Sequence, residues 1–325
     1  MAVANKTIAL RVDGSRPWMG LPATEWDGKS TAREMMAAAG MLGWNVRKRL
    51  IETDATPAGG EDYEILADLP KGLTRLAVSG ERYTTVQAEE LEEAANAITD
   101  GEATLDAVGH YSNGRRIFLT FQMGENIVLD PNGQHDEIGR FLNILGSHDG
   151  TTGIFFGTGN LRLACQNQLT AVKASALSVF KMRHTQNVAD KMLVARQALS
   201  IGFKQSAVFE QEMQALIQSE MTDSQFWNLV KGIYPEPEKD VRGSVKKWTD
   251  KTDEVMSLWA AEDGTMAGLD KTAYRAYNAL NEHLMWYGGV RDGNKENALV
   301  KASGFDTATN KRNLDLYKAT LLATA

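Results

Sequence analysis

Hydrophobic residues in the first half of the chain recur with two periods, one typical of helices and one typical of strands. A helix is predicted after Thr31, because Thr31 and Glu34 have the spacing of a capping box and Gly40 or Gly43 is placed to end it. Residues rich in alanine and glutamate predict a second helix over 88–98. Strands are predicted between these helices at 44–51, 63–69 and 74–87, the last with a turn at Ser79-Gly80.

The clearest β-hairpin of the chain centres on Asn113-Gly114. This dipeptide favours a two-residue turn, because both central positions need a positive φ. Two further strands, 137–149 and 152–165, are predicted to follow and to be joined by a tight loop.

After these strands the hydrophobic spacing becomes helical. The first of the later helices is predicted over 167–184, and Pro235 and Pro237 mark the clearest break. Further helical segments are predicted at 189–203, 207–221, 223–233, 246–262, 272–288 and 313–325. The pattern predicts an α+β fold, in which an N-terminal domain (1–204) holds a mixed or antiparallel sheet with helices and a C-terminal domain (205–325) is all helical.

Composition narrows the class of protein. A chain of 325 residues, 43% hydrophobic and 24% charged, resembles a soluble globular protein long enough for two domains. Its single cysteine excludes an internal disulfide and a zinc site built from several cysteines. We expect neither a membrane span nor a secretory leader, because no apolar run approaches about 18 residues and the start lacks a basic segment followed by an apolar one.

The net charge of −7 is unevenly distributed. Residues 138–209 carry eight basic and two acidic side chains, a local charge of +6, whereas residues 87–106 carry seven acids and no base. The acidic helix is typical of a solvated surface. The basic stretch is therefore the candidate for contact with an anionic partner.

One short glycine-rich segment combines His148, Asp149 and Cys165. A nucleophilic cysteine would need His148 or His184 as its base, but Cys165 follows an apolar strand, where cysteine usually packs as a small hydrophobic residue. A phosphate-binding loop is not favoured, because the glycines flank a strand and no Gly-Lys-Ser/Thr sequence follows. The simplest interpretation is a turn in which Asp149 bonds to nearby backbone amides and Gly150 takes a positive φ.

No metal or cofactor is predicted. Two His-Asp pairs occur at 135–136 and 148–149, and His110 and His184 could join them. However, neighbouring residues on a strand point to opposite faces, and no metal-binding spacing such as HExxH occurs. The sequence therefore assigns no catalytic residue and no metal ligand.

A basic and aromatic surface is predicted where the strands meet the helix over 167–184. On an ideal helix Lys173, His184 and Lys191 lie within about 20° of one another, with Phe180 on the same side. Such a face can follow a phosphate backbone and stack bases, while the alternative is an ordinary helix whose lysine stems cover apolar neighbours. The candidate nucleic-acid-binding residues are Arg82, Tyr83, Arg115, Arg116, Arg162, Lys173, Lys181, Arg183 and His184.

Three ordered motifs resemble those of the phage- and plasmid-encoded proteins grouped as domain of unknown function 932. They read LGSHDGTTG (145–153), RLACQNQLTAV (162–172) and KMRHT (181–185). Gly146 stands where that family usually has Asn, and Gln168 where it usually has Thr. The family-motif residues are Ser147, His148, Asp149, Gly150, Cys165 and Asn167. The resemblance implies a mobile-element protein in the cytoplasm of a bacterial host, from a family without an agreed activity.

The leading hypothesis is a noncatalytic nucleic-acid-binding protein of phage DNA metabolism. By analogy with single-strand annealing proteins, its partner would be single-stranded DNA and its state a homo-oligomer. The alternative is an enzyme that acts on nucleotides or nucleic acid through His148, Asp149 and Cys165. A third hypothesis is a host-interaction protein that binds a bacterial partner through its acidic helices. Four C-terminal tryptophans are expected in a core or subunit interface: Trp227, Trp248, Trp259 and Trp286.

Overall fold

Ten stretches of the chain are described by the computed structural model. They are residues 31–54, 60–99, 103–111, 113–129, 136–150, 153–162, 167–168, 179–182, 209–287 and 307–324. Strands predominate before residue 183 and helices after residue 208. The α+β class predicted from the sequence is confirmed.

The chain divides into two compact units, and neither is one continuous segment. The first unit draws its described residues from Met1–Gly124, Phe141–Thr158 and Leu177–Gly202. The second draws them from Glu125–Arg140, Gly159–Ala176 and Phe203–Ala325. A single boundary between residues 204 and 205 stays a prediction.

The first helix, α1 (Ala32–Ala38), begins and ends where the sequence predicts. The Thr31 amide donates to Glu34 Oε2 at 2.7 Å, and the Glu34 amide donates to Thr31 Oγ1 at 3.3 Å, so the capping box is present. Gly40 follows the helix with a φ of +65°, a backbone conformation that glycine adopts without strain.

A three-stranded antiparallel sheet follows in the first unit. Its strands, in sheet order, are β1 (Arg47–Leu50), β2 (Asp62–Leu69) and β3 (Gly72–Gly80). The sequence predicts a longer third strand with an internal turn, but β3 continues to Gly80 and the turn lies just beyond it, at 81–82. Helix α2 (Ala88–Thr99) then forms as predicted.

The larger sheet has seven strands, and every pairing described in detail is antiparallel. Its central path runs β10-β8-β7-β5-β4, while β6 pairs with β7 and β9 pairs with β8. The strands are β4 (Thr104–Tyr111), β5 (Arg116–Gln122), β6 (Ile127–Leu129), β7 (Asp136–Ser147), β8 (Ile154–Arg162), β9 (Asn167–Gln168) and β10 (Val179–Met182).

The predicted hairpin joins β4 to β5. Asn113 has a φ of +56° and Gly114 a φ of +80°, as a two-residue turn of this kind requires. Gly114 also allows close packing, because a Cβ there would lie 3.3 Å from Cη2 of Trp44. The backbone of the hairpin turn therefore packs against the ring of Trp44.

The helix predicted over 167–184 is wrong in the described part of that range. Residues 167–168 form β9, and Val179–Met182 form β10, which pairs with β8 so that Phe180 lies opposite Phe156. The open edge of β8 offers backbone hydrogen bonds that local hydrophobic spacing does not reveal, and Val and Phe suit a strand. The predicted helical face of Lys173, His184 and Lys191 therefore loses its basis; these three residues lie outside the described residues.

The second unit is mostly helical. Its helices are α3 (209–218), α4 (Asp223–Ile233), α5 (Ser244–Ala260), α6 (Ala273–Glu282) and α7 (Thr307–Thr324), with a single π-helical turn at His283–Tyr287. The break predicted from Pro235 and Pro237 falls between α4 and α5. Among the described helices, none is both long enough and apolar enough to cross a membrane.

Helix α6 is the centre of this unit, since each of its ten residues is buried. Its buried Arg275 donates from Nε to the carbonyl of Trp259 at 2.8 Å and from Nη1 to that of Met266 at 3.3 Å, and it also bonds the carbonyls of Leu269 and Ala261. One guanidinium thus satisfies the carboxyl end of α5 and the loop after it.

Trp259 lies in the core of this unit, and Trp286 is the one C-terminal tryptophan among the four whose side chain lies outside the described part of the structure. The Trp259 ring is 1% exposed and stacks on Phe226 with a centroid distance of 4.4 Å. The core location predicted for Trp259 is therefore confirmed. Trp227 and Trp248 are only partly buried.

Candidate functional site

The motif segment forms a tight turn at the end of β7, in the first unit. We call Ser147, His148, Asp149 and Gly150 the motif turn. Gly150 has a φ of +70°, as the sequence predicts, and the His148 amide donates to the carbonyl of Arg115 at 2.7 Å. This backbone bond joins the motif turn to the β4–β5 hairpin, because Arg115 is the last residue before β5.

Asp149 connects the turn to β5 through its side chain. One carboxylate oxygen accepts a short hydrogen bond from the Ser147 hydroxyl, and the other accepts from Nε of Arg116 at 3.3 Å. The side chains of Arg116 and Asp149 are 26% and 13% exposed, so this ion pair is only partly open to solvent. The sequence predicts bonds from backbone amides to Asp149, whereas these two bonds to its carboxylate come from side chains on β7 and β5.

Tyr83 holds the motif turn from a third direction. Its hydroxyl donates to the carbonyl of Ser147 at 3.2 Å, across 64 residues of sequence. Burial raises the pKa of the Tyr83 hydroxyl, and the nearby Asp149 carboxylate raises it further, so the hydroxyl stays protonated and remains a donor. Tyr83 is therefore a positioning residue for the motif turn, and its ring is partly buried.

The imidazole of His148 is 1% exposed and faces inward. Its ring centroid lies 6.1 Å from that of Trp44 in an edge-on contact, and His110 contacts the same tryptophan at 5.1 Å. Sequence inspection gave no reason to place Trp44 near the motif. The one sequence feature connected with this contact is Gly114 in the hairpin turn, because its lack of a side chain allows the Trp44 indole to pack close to the turn.

His110 is a second histidine beside Trp44. Its Nδ1 is buried and has no hydrogen-bond partner among the described residues. Burial lowers the pKa of His110, and the positive charge of Lys71 lowers it further. A neutral His110 is thereby favoured at this position.

The other predicted site residues are placed in very different ways. Arg82 and Arg115 are exposed, each beside one of the residues that hold the motif turn. The strands β8, β9 and β10 contain Arg162, Asn167 and Lys181, respectively. Only the backbone of these three residues is described. Lys173, Arg183, His184 and Cys165 lie outside the described residues.

The motif residue Asn167 belongs to the second unit, where β9 lies against α6. The Ser-His-Asp-Gly motif belongs to the first unit. Within the described ranges, no group of three or more His, Cys, Asp or Glu side chains could hold a metal ion.

One comparison with known proteins gives a match. The family model described as "Domain of unknown function (DUF932)" matches residues 75–303, which is more than two thirds of the chain. The matched range includes the motif turn, Tyr83 and the whole of α6. The searches of curated proteins and of solved structures found no match.

Proposed function

The chain belongs to the family of domain of unknown function 932, whose description names no activity, and from its site we propose that it binds single-stranded nucleic acid without catalysing a reaction. The contact would be made by Arg82 and Arg115, two exposed residues whose segments are bonded to the motif turn. The observation that carries the proposal is the pair of tethers that bring these arginines to one turn.

The first tether is the hydrogen bond from Tyr83, the neighbour of Arg82, to the carbonyl of Ser147. The second is the bond from the His148 amide to the carbonyl of Arg115 itself. Arg115 is thus bonded to His148 directly, while Arg82, 33 residues earlier in sequence, adjoins the residue that bonds Ser147. Guanidinium groups bind phosphate oxygens well, because their planar donors match the geometry of the anion.

Arg116 has a different role from its neighbour. Its guanidinium is paired with Asp149, so a phosphate would compete with an existing carboxylate. We assign Arg116 to the rigidity of the turn, while Arg82 and Arg115 supply the phosphate contacts.

The binding proposal is favoured over an enzyme by the burial of His148. A general base must reach the proton that it abstracts, but the His148 ring packs against Trp44 with 1% of its surface exposed. Asp149 already accepts bonds on both carboxylate oxygens. These contacts suit a turn that presents other residues to a ligand.

The wider setting of the proposal comes from family resemblance and analogy. We propose a phage- or plasmid-encoded protein that works in the cytoplasm of a bacterial host, in DNA recombination by annealing of single strands. A homo-oligomer would suit that role, because annealing proteins present a continuous surface to a long strand.

The test is a salt titration of binding to single-stranded DNA, between about 50 and 200 mM salt. Each phosphate contact adds about −0.7 to the slope of log affinity against log salt, so the double variant Arg82→Gln/Arg115→Gln should reduce that slope by about 1.4. Arg33→Gln/Arg75→Gln is the matched control, since both residues are exposed and the change in net charge is equal.

Three results are informative. A smaller slope in the site variant alone supports the proposal. An equal loss in both double variants would mean that only net charge matters and would reject the motif turn as the contact. An absence of binding by the native chain at the lowest salt would reject nucleic-acid binding altogether.

A further inference from the structure

Five aromatic side chains form two groups of rings in the second unit, joined by one hydrogen bond, and we call them together the aromatic file: Trp227, Trp248, Tyr234, His283 and Tyr287. The two tryptophan rings lie 5.8 Å apart between centroids, at an angle of 61°. Nε1 of Trp248 donates to the carbonyl of Tyr234 at 2.8 Å. The Tyr234 and His283 rings are 5.4 Å apart, and Tyr287 stacks on His283 at 6.1 Å with nearly parallel planes.

The outer members of the file remain in contact with solvent. Tyr287 is 46% exposed, and Trp227, Trp248 and Tyr234 are partly exposed. The same unit buries Trp259 almost completely. Because water contact with large rings is unfavourable, a set of partly exposed rings on a well-packed helical unit marks a surface for a ligand.

Cations lie beside the aromatic file. Nζ of Lys231 is 5.9 Å from the centroid of Trp227, and Nζ of Lys251 is 4.9 Å from that of Tyr234. Burial raises the pKa of the Tyr234 hydroxyl, the positive charge of Arg312 lowers it, and the negative charge of Glu254 raises it. Burial also raises the pKa of the Tyr287 hydroxyl, and the negative charges of Glu282 and Glu254 raise it further. The ligand that fits these groups is therefore aromatic and carries its negative charge beside the lysines at Trp227 and Tyr234.

The centre of the file is held rigidly. His283 is buried, its Nδ1 is 2.9 Å from the Tyr234 hydroxyl, and its Nε2 is 3.1 Å from Oε2 of Glu254. A protonated Tyr234 donates to Nδ1, so Nε2 carries the hydrogen that Glu254 accepts. These two bonds fix the orientation of the imidazole on which the Tyr287 ring stacks. Both residues belong to the π-helical turn, and such turns are often found at functional sites.

We infer that the aromatic file is a base-stacking surface for single-stranded nucleic acid. Every base offers a flat ring to stack on Tyr287 or the tryptophans, and phosphates beside the bases would meet Lys231 and Lys251. The inference rests on the proposed function, since it assigns a base contact to the strand whose phosphate contacts were proposed above. An acidic protein segment would meet the same lysines but supplies no bases, and the test separates these two ligands.

The test compares two probes that carry equal numbers of phosphates: an oligothymidylate, and an oligodeoxyribonucleotide of the same length made of abasic sites. The full-length protein should bind oligothymidylate more tightly, because only that probe can stack. Tyr287→Ala should weaken binding to oligothymidylate between about fivefold and a hundredfold and leave binding to the abasic probe nearly unchanged. Tyr287→Phe keeps the ring and should retain the preference.

Matched variants separate stacking from charge and from folding. Lys251→Gln should weaken binding to both probes, whereas Lys246→Gln on the same helix should not, because Lys246 is paired with Asp250 and has no aromatic partner among the described residues. Leu322→Ala removes another exposed apolar side chain in this unit and should leave both affinities unchanged. Unfolding midpoints of all variants identify any loss that comes from instability.

The outcomes are distinguishable from those of the motif-turn test. Loss of the preference for bases in Tyr287→Ala, with retention in Tyr287→Phe, supports the inference. Equal binding of both probes by the native protein, or an unchanged preference in Tyr287→Ala, overturns it and leaves the phosphate contacts of Arg82 and Arg115 standing. Binding of neither probe by the native protein overturns both proposals.

Discussion

Two histidines, one in each unit, have buried ring nitrogens but are held in different ways. His283 in the second unit has a hydrogen-bond partner at each ring nitrogen, a phenol on one side and a carboxylate on the other. His110 in the first unit has a buried Nδ1 without a partner among the described residues and lies edge-on to Trp44. Hydrogen bonds therefore fix the ring orientation of His283, whereas the described contact of the His110 ring is its packing against Trp44.

The same contrast holds around these residues. In the second unit Arg275 bonds four backbone carbonyls, and the Tyr274 hydroxyl donates to Asp136 at 2.6 Å. In the first unit the side chains of Tyr83 and Arg116 bond the motif turn at the end of β7. Buried hydrogen bonds favour one packing, so we expect the bonds of Arg275 and Tyr274 to order the interior of the second unit, and those of Tyr83 and Arg116 to order the motif turn of the first.

The largest effect should come from breaking the interior network of the second unit. We expect Arg275→Met to lower the free energy of unfolding by about 3 kcal/mol or more, because it leaves several buried carbonyls without a donor. The loss should appear in the helical circular-dichroism transition. Lys239→Met, at an exposed position of the same unit, is the control and should change stability little. Equal effects of the two changes would contradict the role given to Arg275.

A smaller effect is expected at Gly146 on β7, in the first unit. A Cβ at this position would lie 3.0 Å from Cγ1 of Ile117 and 3.1 Å from Cδ1 of Leu91. Gly146→Asn should therefore destabilise the protein by about 1–3 kcal/mol through overpacking, measured by chemical denaturation.

Gly150→Asn supplies the matched comparison for this position. Gly150 has a positive φ and no atom within 4 Å of its Cβ position, and asparagine tolerates that backbone conformation well. Its cost should be clearly smaller than that of Gly146→Asn. If Gly146→Asn were harmless, the packing of α2 against β5 and β7 would be looser than described.

The smallest effect should be the pH dependence contributed by His110. Its pKa is lowered in the folded state by burial and by Lys71, so the unfolded chain binds a proton more readily. The stabilisation is complete above the unfolded pKa of about 6.5 and is lost as the pH falls through the lower folded value. His110→Gln should flatten the decline of unfolding free energy below that pH, in urea titrations at several pH values. An unchanged decline would mean that other groups cause it.

Local signals in the sequence were sufficient for several elements. The Thr31–Glu34 capping box, the Asn113-Gly114 turn and the positive φ of Gly150 each depend on residues within a few positions of one another. Such features are read correctly because backbone conformation and short-range hydrogen bonds decide them.

The strand β10 and the tethers of the motif turn could not be found in this way. The hydrophobic spacing over 167–184 predicts a helix, but Val179–Met182 instead form a strand that is hydrogen-bonded to β8. This pairing depends on a segment that is distant in sequence, so local spacing does not reveal it. The bond between Tyr83 and Ser147 joins residues 64 positions apart. The aromatic file was likewise hidden, since its rings come from α4, α5, the loop between them and the π-helical turn.

By itself the sequence determined the α+β class, the helix caps and tight turns, the segment that carries the family motif, and an uneven distribution of charge. Only the tertiary structure decided which arginines stand beside the motif, that His148 faces inward, and that Trp227 and Trp248 stay partly exposed while Trp259 is buried. The physical reason is range: hydrophobic spacing and φ preferences act over a few residues, whereas burial and side-chain pairing depend on which distant segments the folded chain brings into contact.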